Sequence, residues 1–390
     1  MVEVNSSTQK IPFWRDERFW RTALQLLAVI VVVIVFSLLI NNLNRNLAQQ
    51  GRQFDFGFLD NEAGFNIGES LVRYSPGDSY ITALLVGLVN SLQVMIAGFI
   101  LTTLVGVMAG VASFSENWLV RKLSVVYVEV VRNTPLLLQL FFWYFVVFFS
   151  LSAGNAVNQL PGSIFISKRG VVIPWPANTP TVWLGLVVLL VGAIAAVFLW
   201  RWRIKLMVER SASGNPQLIL LIIMGIVALL ILTIGLSWEF PRLAEPTQVT
   251  GGLRLSLEFS AILFGLVFYT GGFIAEIVRA GIQSVSKGQW EAARALGLRP
   301  GSVMQFVVFP QALRVIIPSL NSQYMNLAKN SSLALAVGYP DIYSVASTTF
   351  NQTGRPVEVF LIMMGAYLSI NLLISMVMNQ INQTVQIKER

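Results

Sequence analysis

The sequence predicts an all-α polytopic membrane protein with about eight transmembrane helices. Three observations carry that expectation. Of the 390 residues, 55% are hydrophobic and only 12% are charged, against about 25% charged in an ordinary globular domain. Mean hydropathy is +0.67. The apolar residues gather into runs as long as the roughly 20 residues a helix needs to cross a bilayer. No alternating apolar and polar pattern dominates, which argues against an outer-membrane barrel.

The missing residue types narrow the chemistry. The chain has no Cys and no His. That excludes disulfides, iron–sulfur clusters, thiolate zinc sites, His-ligated haem and His-based catalytic triads. No metal site and no catalytic residue is expected. The formal charge of +8 reads as orienting loops of a membrane protein rather than a surface for nucleic acid.

The elements follow in chain order. Lys10, Arg15, Arg18 and Arg21 precede the uncharged run 22–40, and Asn41-Asn42-Leu43-Asn44-Arg45 follows. No small-residue cleavage site is present, so a retained first span over 22–41 is expected, not a signal peptide. The loop 42–80 is acidic, with Asp55, Asp60, Glu62, Glu69 and Asp78. It is long enough for external structure, though a hydrated linker would read the same.

Spans two and three, 82–110 and 124–150, exceed the length required and can tilt or project. Span two carries Asn90, Ser91 and Gln93, and its Gly98, Gly106 and Gly110 permit close helix packing. In span three Glu129 and Arg132 lie three apart on one face, the spacing of an intrahelical ion pair. Thr134-Pro135 should kink that span.

Spans 181–200 and 216–237 contain no ionisable residue and read as lipid-facing. Span 255–276 ends at Glu276 and Arg279, placed to snorkel to the interface. Span 313–338 is the weakest, since Arg314 and Lys329 bracket 14 uncharged residues that include Asn321, Gln323 and Asn326. Such a segment persists in a membrane only against protein or water. Lys329 would bind a substrate carboxylate, cap a gate or anchor a neighbouring helix. Asn326, Asn330, Ser331 and Ser332 would line the same polar path. The last span is 357–379, followed by a tail, 380–390.

Charge placement sets the topology. With the N-terminus inside, 17 of the 27 basic residues fall in inner segments, eight in outer loops, and Arg132 and Lys329 within spans. This bias places both termini inside.

The inner loop 277–312 is the most informative stretch. Ser286 with Gln289 has the spacing of a capping box. Gly297 is a natural helix stop, and Pro300 starts a second helix. Two short helices with a sharp turn between them would give a soluble partner something to grip.

Glu291-Ala292-Ala293, with Gly297 and Pro310, resembles the EAA loop of bacterial ATP-binding-cassette importer permeases. Three further runs are similar to polar amino-acid (histidine/glutamine-type) permeases: Arg132-Asn133-Thr134-Pro135-Leu136-Leu137-Leu138-Gln139, Phe309-Pro310-Gln311-Ala312-Leu313-Arg314, and Lys329-Asn330-Ser331-Ser332-Leu333. Asn133 stands where that family usually has Gly, Asn330 where it has Asp, and Ser331 where it has Thr. The family core is a type I importer bundle of five helices. Here one span precedes it, within a region 1–80, and two are inserted within 151–254 of a permease domain 81–379. The longer layout resembles general L-amino-acid permeases.

The resemblance implies a permease subunit of an ATP-driven, binding-protein-dependent L-amino-acid importer in the bacterial inner membrane. Its partners would be cytoplasmic ATP-binding subunits, a second related permease and a periplasmic amino-acid-binding protein, with the lipid bilayer around it. Glu291, Ala292, Ala293 and Gly297 would couple to the ATPase. Glu129, Arg132, Thr134, Pro135 and Pro310 would serve structure or gating. The chain has no P-loop, so no cofactor is expected on it, and ATP with Mg would sit in the partner. The alternative is a secondary amino-acid transporter driven by an ion gradient, which should show mid-membrane ionisable partners and repeated halves.

Overall fold

In hydrocarbon every backbone N–H and C=O must find a partner within the protein, so long apolar runs resolve as helices. A computed structural model describes residues 17–49, 51–151, 157–210, 213–245 and 248–385. Lys10, Arg15, Lys388 and Arg390, used above for orientation, lie outside them, as do the side chains of Arg18 and Arg210. Among the described residues seven helices are long and apolar enough to span a bilayer, and eight if the bent helix pair is one span. The eight-span expectation therefore holds.

The chain divides into two units, Met1–Asn61 and Glu62–Arg390. In the first, α1 (Glu17–Gln49) carries Leu, Ile and Val exposed on every side, the pattern of a helix bathed in lipid. A short 3₁₀ turn, Gly57–Asp60, closes the unit.

The second unit is built around α2 (Tyr80–Ala112) and α7 (Leu257–Gln283). The apolar window of α7 is 67% buried, against 33% for α2, so α7 is the axis of the bundle. Small residues set the approach. A Cβ on Gly110 would lie 2.6 Å from the Val278 Cβ and 2.8 Å from the Ala275 carbonyl, and one on Gly106 would lie 2.6 Å from the Ile274 Cβ. Hydroxyls then bond between helices: Thr102 Oγ1 donates across the seam to the Val267 carbonyl at 3.3 Å, and Ser124 Oγ, from the helix after α2, donates to the Ala109 carbonyl at 2.6 Å. The reading of these glycines as packing devices is the one the contacts support.

Span three departs from its expected form. It is two helices, α3 (Trp118–Asn133) and α4 (Leu136–Phe141), the latter continued by a π-helical stretch to Phe149, with a 110° bend between them. Pro135 drives Thr134 into extended backbone, φ −111° and ψ 125°. A mere kink would keep most of the helix ladder; here it ends, and side chains take over its carbonyls. Asn133 Nδ2 donates to the Glu129 carbonyl at 2.8 Å, Thr134 Oγ1 to Val130 at 2.8 Å, and Gln139 Nε2 to Val131 and Thr134 at 2.9 and 3.0 Å. The polar letters of this motif thus pair the backbone groups that its proline frees.

The insertion holds structure that hydropathy did not announce. Strands β1 (Asn158–Leu160), β2 (Ile164–Ser167), β3 (Gly170–Ile173) and β8 (Leu253–Leu255) form an antiparallel sheet in the order β1-β2-β3-β8. Alternation sorts its faces: Ile166 and Val171 pack with Phe148 and Leu257 of the bundle, while Phe165 and Val172 cluster with Val249. Between β3 and β8 run two shorter strand pairs, β4 (Trp175–Pro176) with β5 (Trp238–Glu239) and β6 (Arg242–Glu245) with β7 (Gln248–Thr250). The helices α5 (Pro180–Arg210) and α6 (Asn215–Leu230) lie between β4 and β5 in the chain, and a π turn carries α6 on to Gly235. The strands therefore tie the two feet of this hairpin together. Few of its residues are buried, as a lipid-facing role requires.

The loop 62–79 is anchored rather than a free linker. Ala63 N–H bonds the Asp78 carbonyl at 2.8 Å, Asn90 Nδ2 holds the Glu69 carbonyl at 2.8 Å, and the Glu69 carboxylate accepts from Ser256 Oγ. Burial raises the Glu69 pKa above its ordinary value; the Ser256 hydroxyl opposes this and the nearby Glu258 adds to it.

The glycine seam yields a prediction. Gly110→Leu should cost about 1–3 kcal/mol through overpacking against α7, read as a lowered melting temperature in detergent. At Gly225 on α6 an added Cβ would meet nothing within 4 Å, so Gly225→Leu should leave melting unchanged.

Candidate functional site

After α7 the chain folds as one short helix and the start of a longer one. Helix α8 spans Lys287–Ala295. Ser286 occupies its N-cap, but its side chain makes no capping bond. The capping box is not formed: Gln289 Oε1 instead accepts from Gln311 Nε2 at 3.2 Å, stitching α8 to the following helix. At the other end Leu298 N–H bonds the Ala293 carbonyl at 3.3 Å and Gly297 N–H bonds the Arg294 carbonyl at 2.9 Å. These paired bonds are a Schellman stop, with Gly297 at φ +76°.

The second short helix is the beginning of a continuous rod. Helix α9 (Pro300–Val303) runs through a π turn (Met304–Val308) into α10 (Phe309–Asn330). Pro310 lacks an N–H, and the π turn accommodates it. Gln311 Nε2 bonds the Val307 carbonyl at 2.9 Å.

Burial sorts the residues of α8 and its stop. Ala293 is 3% exposed and packs with Val303, Val308 and Ala312 of its own chain. Glu291, Ala292 and Gly297 are exposed, as is Leu296 at 80%. Ala293 is thus the root of α8, while its neighbours face outward. Leu296 belongs to that outward set; its place directly before the stop glycine was its signal in the sequence.

The far end of the rod is polar where the rest of the bundle is apolar. Asn326 and Lys329 are exposed, with Ser322 one turn before them on the same face, and Asn330 is half-buried. Ser331 is buried, its Oγ bonded to the Ala328 carbonyl at 2.8 Å, and Ser332 Oγ bonds the Lys329 carbonyl at 2.7 Å. At Ser331 the helix tightens into a 3₁₀ stretch that ends at Val337, with Gly338 at φ +82°. The structure therefore sets Asn326 and Lys329 on one open face and turns the two serines onto backbone.

A third cluster lies where α3 meets α7. Arg132 does not pair with Glu129. It approaches Glu276 across the helices at 3.7 Å, and Arg279 holds the same carboxylate with bonds of 2.8 and 3.1 Å. The reason is geometric: the break at Pro135 leaves the end of α3 against α7, and Arg132 also lies 5.8 Å from the Phe273 ring. Glu276 and Arg279 form an interhelical cluster rather than snorkelling independently. Glu129 and these three charges line a cavity of about 400 Å³.

A family description fits this arrangement. The binding-protein-dependent transport system inner membrane component matches residues 102–387. The chain belongs to that family. This permease is 40% identical to the general L-amino acid transport system permease protein AapQ of Rhizobium johnstonii, over 96% of this chain and 94% of that one. It is 38% identical to the glutamate/glutamine/aspartate/asparagine transport system permease protein BztB of Rhodobacter capsulatus, over 96% of each. Among solved structures, an amino acid ABC transporter with histidines aligns at 20% identity and TM-score 0.46, covering 78% of this chain and 95% of that chain.

Two buried carboxylates were passed over in the sequence, Asp341 and Glu358, the latter 2% exposed and paired with Arg355 at 3.5 Å. Asp341 is 1% exposed and caps α11 (Ile342–Thr353), accepting from Ser344 N–H at 2.9 Å. Gly338-Tyr339-Pro340 ahead of it was the available signal, a turn followed by a capping residue. Helix α11 packs on α2 at Gly87, where a Cβ would come within 3.0 Å of Ile342 Cα. Burial raises the Asp341 pKa to about 7, opposed by the bonds to the Ser344 and Tyr343 amides.

The folded permease thus favours protonated Asp341. Its contribution to stability is full below the ordinary carboxylate pKa and is lost as pH rises through about 7. Melting temperature should therefore fall between about pH 4 and 7. Asp341→Asn, which keeps the cap, should flatten that part of the profile.

Proposed function

We propose that this permease imports L-amino acids, driven by ATP hydrolysed in separate cytoplasmic subunits. The observation that carries the reading is mechanical. The outward residues Glu291, Ala292, Leu296 and Gly297 sit on a short helix rooted by Ala293 in the same rod that carries Asn326 and Lys329. Residues 300–330 run about 46 Å at 1.5 Å per residue. A pull on α8 is delivered along that rod to the polar face.

Lipid would not tolerate that face, so it turns toward a second, related permease and the path between them. Lys329 and Asn326 line the path there, and Asn330, Ser331 and Ser332 shape its edge. The substrate class comes from the relatives, named as amino-acid permeases over nearly their whole length. A periplasmic binding protein delivers the substrate, and ATP with Mg resides in the partner ATPases. The protein sits in the bacterial inner membrane with α8 and both termini in the cytoplasm, the side the basic residues favour. Arg132, Glu276 and Arg279 hold α3 against α7 near that side. The relatives are transport-system permeases, which leaves the ion-gradient alternative unsupported.

Reconstitution with the candidate ATPase and binding protein tests the proposal. Uptake of labelled amino acids should require ATP and both partners; uptake that follows an ion gradient and survives removal of the ATPase would overturn it. Gly297→Val should cost the α8 stop about 1–2 kcal/mol, since a left-handed residue with a Cβ is strained. Coupled uptake should fall severalfold while membrane insertion stays normal.

A further inference from the structure

Two features of the inserted hairpin are unexplained by packing or by transport. The first is a groove of about 490 Å³ between α5 and α6, lined by Gly192, Ala193, Ala196, Gly225 and Ala228 among larger apolar residues. Elsewhere in the bundle, as at Gly106 and Gly110, glycines are where a neighbouring helix presses in. Here they are not: a Cβ on Gly192 or Gly225 would meet nothing within 4 Å. Their missing side chains open space instead of closing it.

The second feature stands at the end of the groove nearer the α5–α6 turn. Arg201, Arg203 and Lys205 follow within five residues, with no acid before Glu209. Trp200 and Trp202 are about half exposed among them. Arg203 is pre-set: its guanidinium lies 5.4 Å from the Trp200 ring, and its Nε donates to the Gly214 carbonyl at 3.0 Å. That bond fixes the plane and uses one of five N–H donors. A fixed guanidinium presenting its remaining donors suits a phosphate oxygen pair. Paired Trp rings are at home at the level of lipid headgroups.

We infer that the α5–α6 hairpin is a binding site for one anionic phospholipid, its phosphate held by Arg203 beside Trp200 and an acyl chain lying in the Gly192–Gly225 groove. The alignment of the parts supports this over a purely orienting role for the charges. From Ala196 to Arg203 is seven residues, about 10 Å along α5 and back on the same face, so Arg203 sits just beyond the groove. Orientation alone would need the charges but not the groove. A free phosphate would likewise have no use for it.

The test is native mass spectrometry of the intact permease, delipidated and then offered phosphatidylglycerol or phosphatidylcholine of identical acyl chains. One phosphatidylglycerol per chain should survive activation, with phosphatidylcholine lost at least five times more readily. Arg203→Gln should abolish that preference. Gly192→Leu with Gly225→Leu, which has room to fold, should lower retention of phosphatidylglycerol at least fivefold with melting unchanged. Equal retention of the two lipids, or retention untouched by the groove variant, would mean annular lipid only and would overturn the inference.

Discussion

The close contact of α2 with α7 is the constraint on which the rest of the membrane unit depends. A bilayer offers no hydrophobic drive to push two apolar helices together. What holds them is contact area, and area requires that one backbone come near the other. Gly106 and Gly110 let the side chains of Ile274 and Val278 sit directly on the α2 backbone. Once that seam is set, Thr102, Ser124 and Tyr127 can reach main-chain carbonyls across helices, with Tyr127 bonding Phe268 at 2.7 Å. The same device recurs where α11 meets Gly87 and where α10 meets Gly281, placing Ile316 against α7. The bundle is thus a set of helices seated on α7 through small residues.

On that seat the permease carries one long lever. Residues 300–330 are helical throughout, with the π turn absorbing Pro310 rather than breaking the rod. At one end Ala293 and the Gln289–Gln311 bond root α8; at the other the backbone tightens into 3₁₀ geometry beside Lys329. Polar residues thus lie at both ends of one continuous helix, which also carries Pro318 in its interior. The break at Thr134-Pro135 serves the opposite purpose. It frees α3 to swing its Arg132 onto Glu276, and its own Asn133, Thr134 and Gln139 satisfy the carbonyls left behind.

The insertion obeys different rules. Its two helices are coated in lipid-exposed Leu, Ile and Val and touch chiefly each other. Short strands fasten its feet to the bundle, where Gly170, at φ +121°, lets β3 lie against Leu255 of β8. Sheet and hairpin are therefore an appendage with a rigid root and a membrane-facing body.

The sequence by itself determined the helical class, the eight crossings, the family and the place of the α8 loop. Each rests on local composition or on ordered motifs, which survive without knowledge of neighbours. The Schellman stop at Gly297 was legible for the same reason, because a helix end is decided within six residues. The partner of Arg132 was not, since spacing offered Glu129 while the bend at Pro135 delivered Glu276 from 144 positions away. Nor was the inward turn of Ala293 beside an exposed Ala292, because two identical side chains differ only in which neighbour they meet. The strands of the insertion were too short to show a period, and Asp341 gained its burial from helices distant in the chain. Only the tertiary structure decided these, because burial and ion pairing depend on which surfaces the fold brings together.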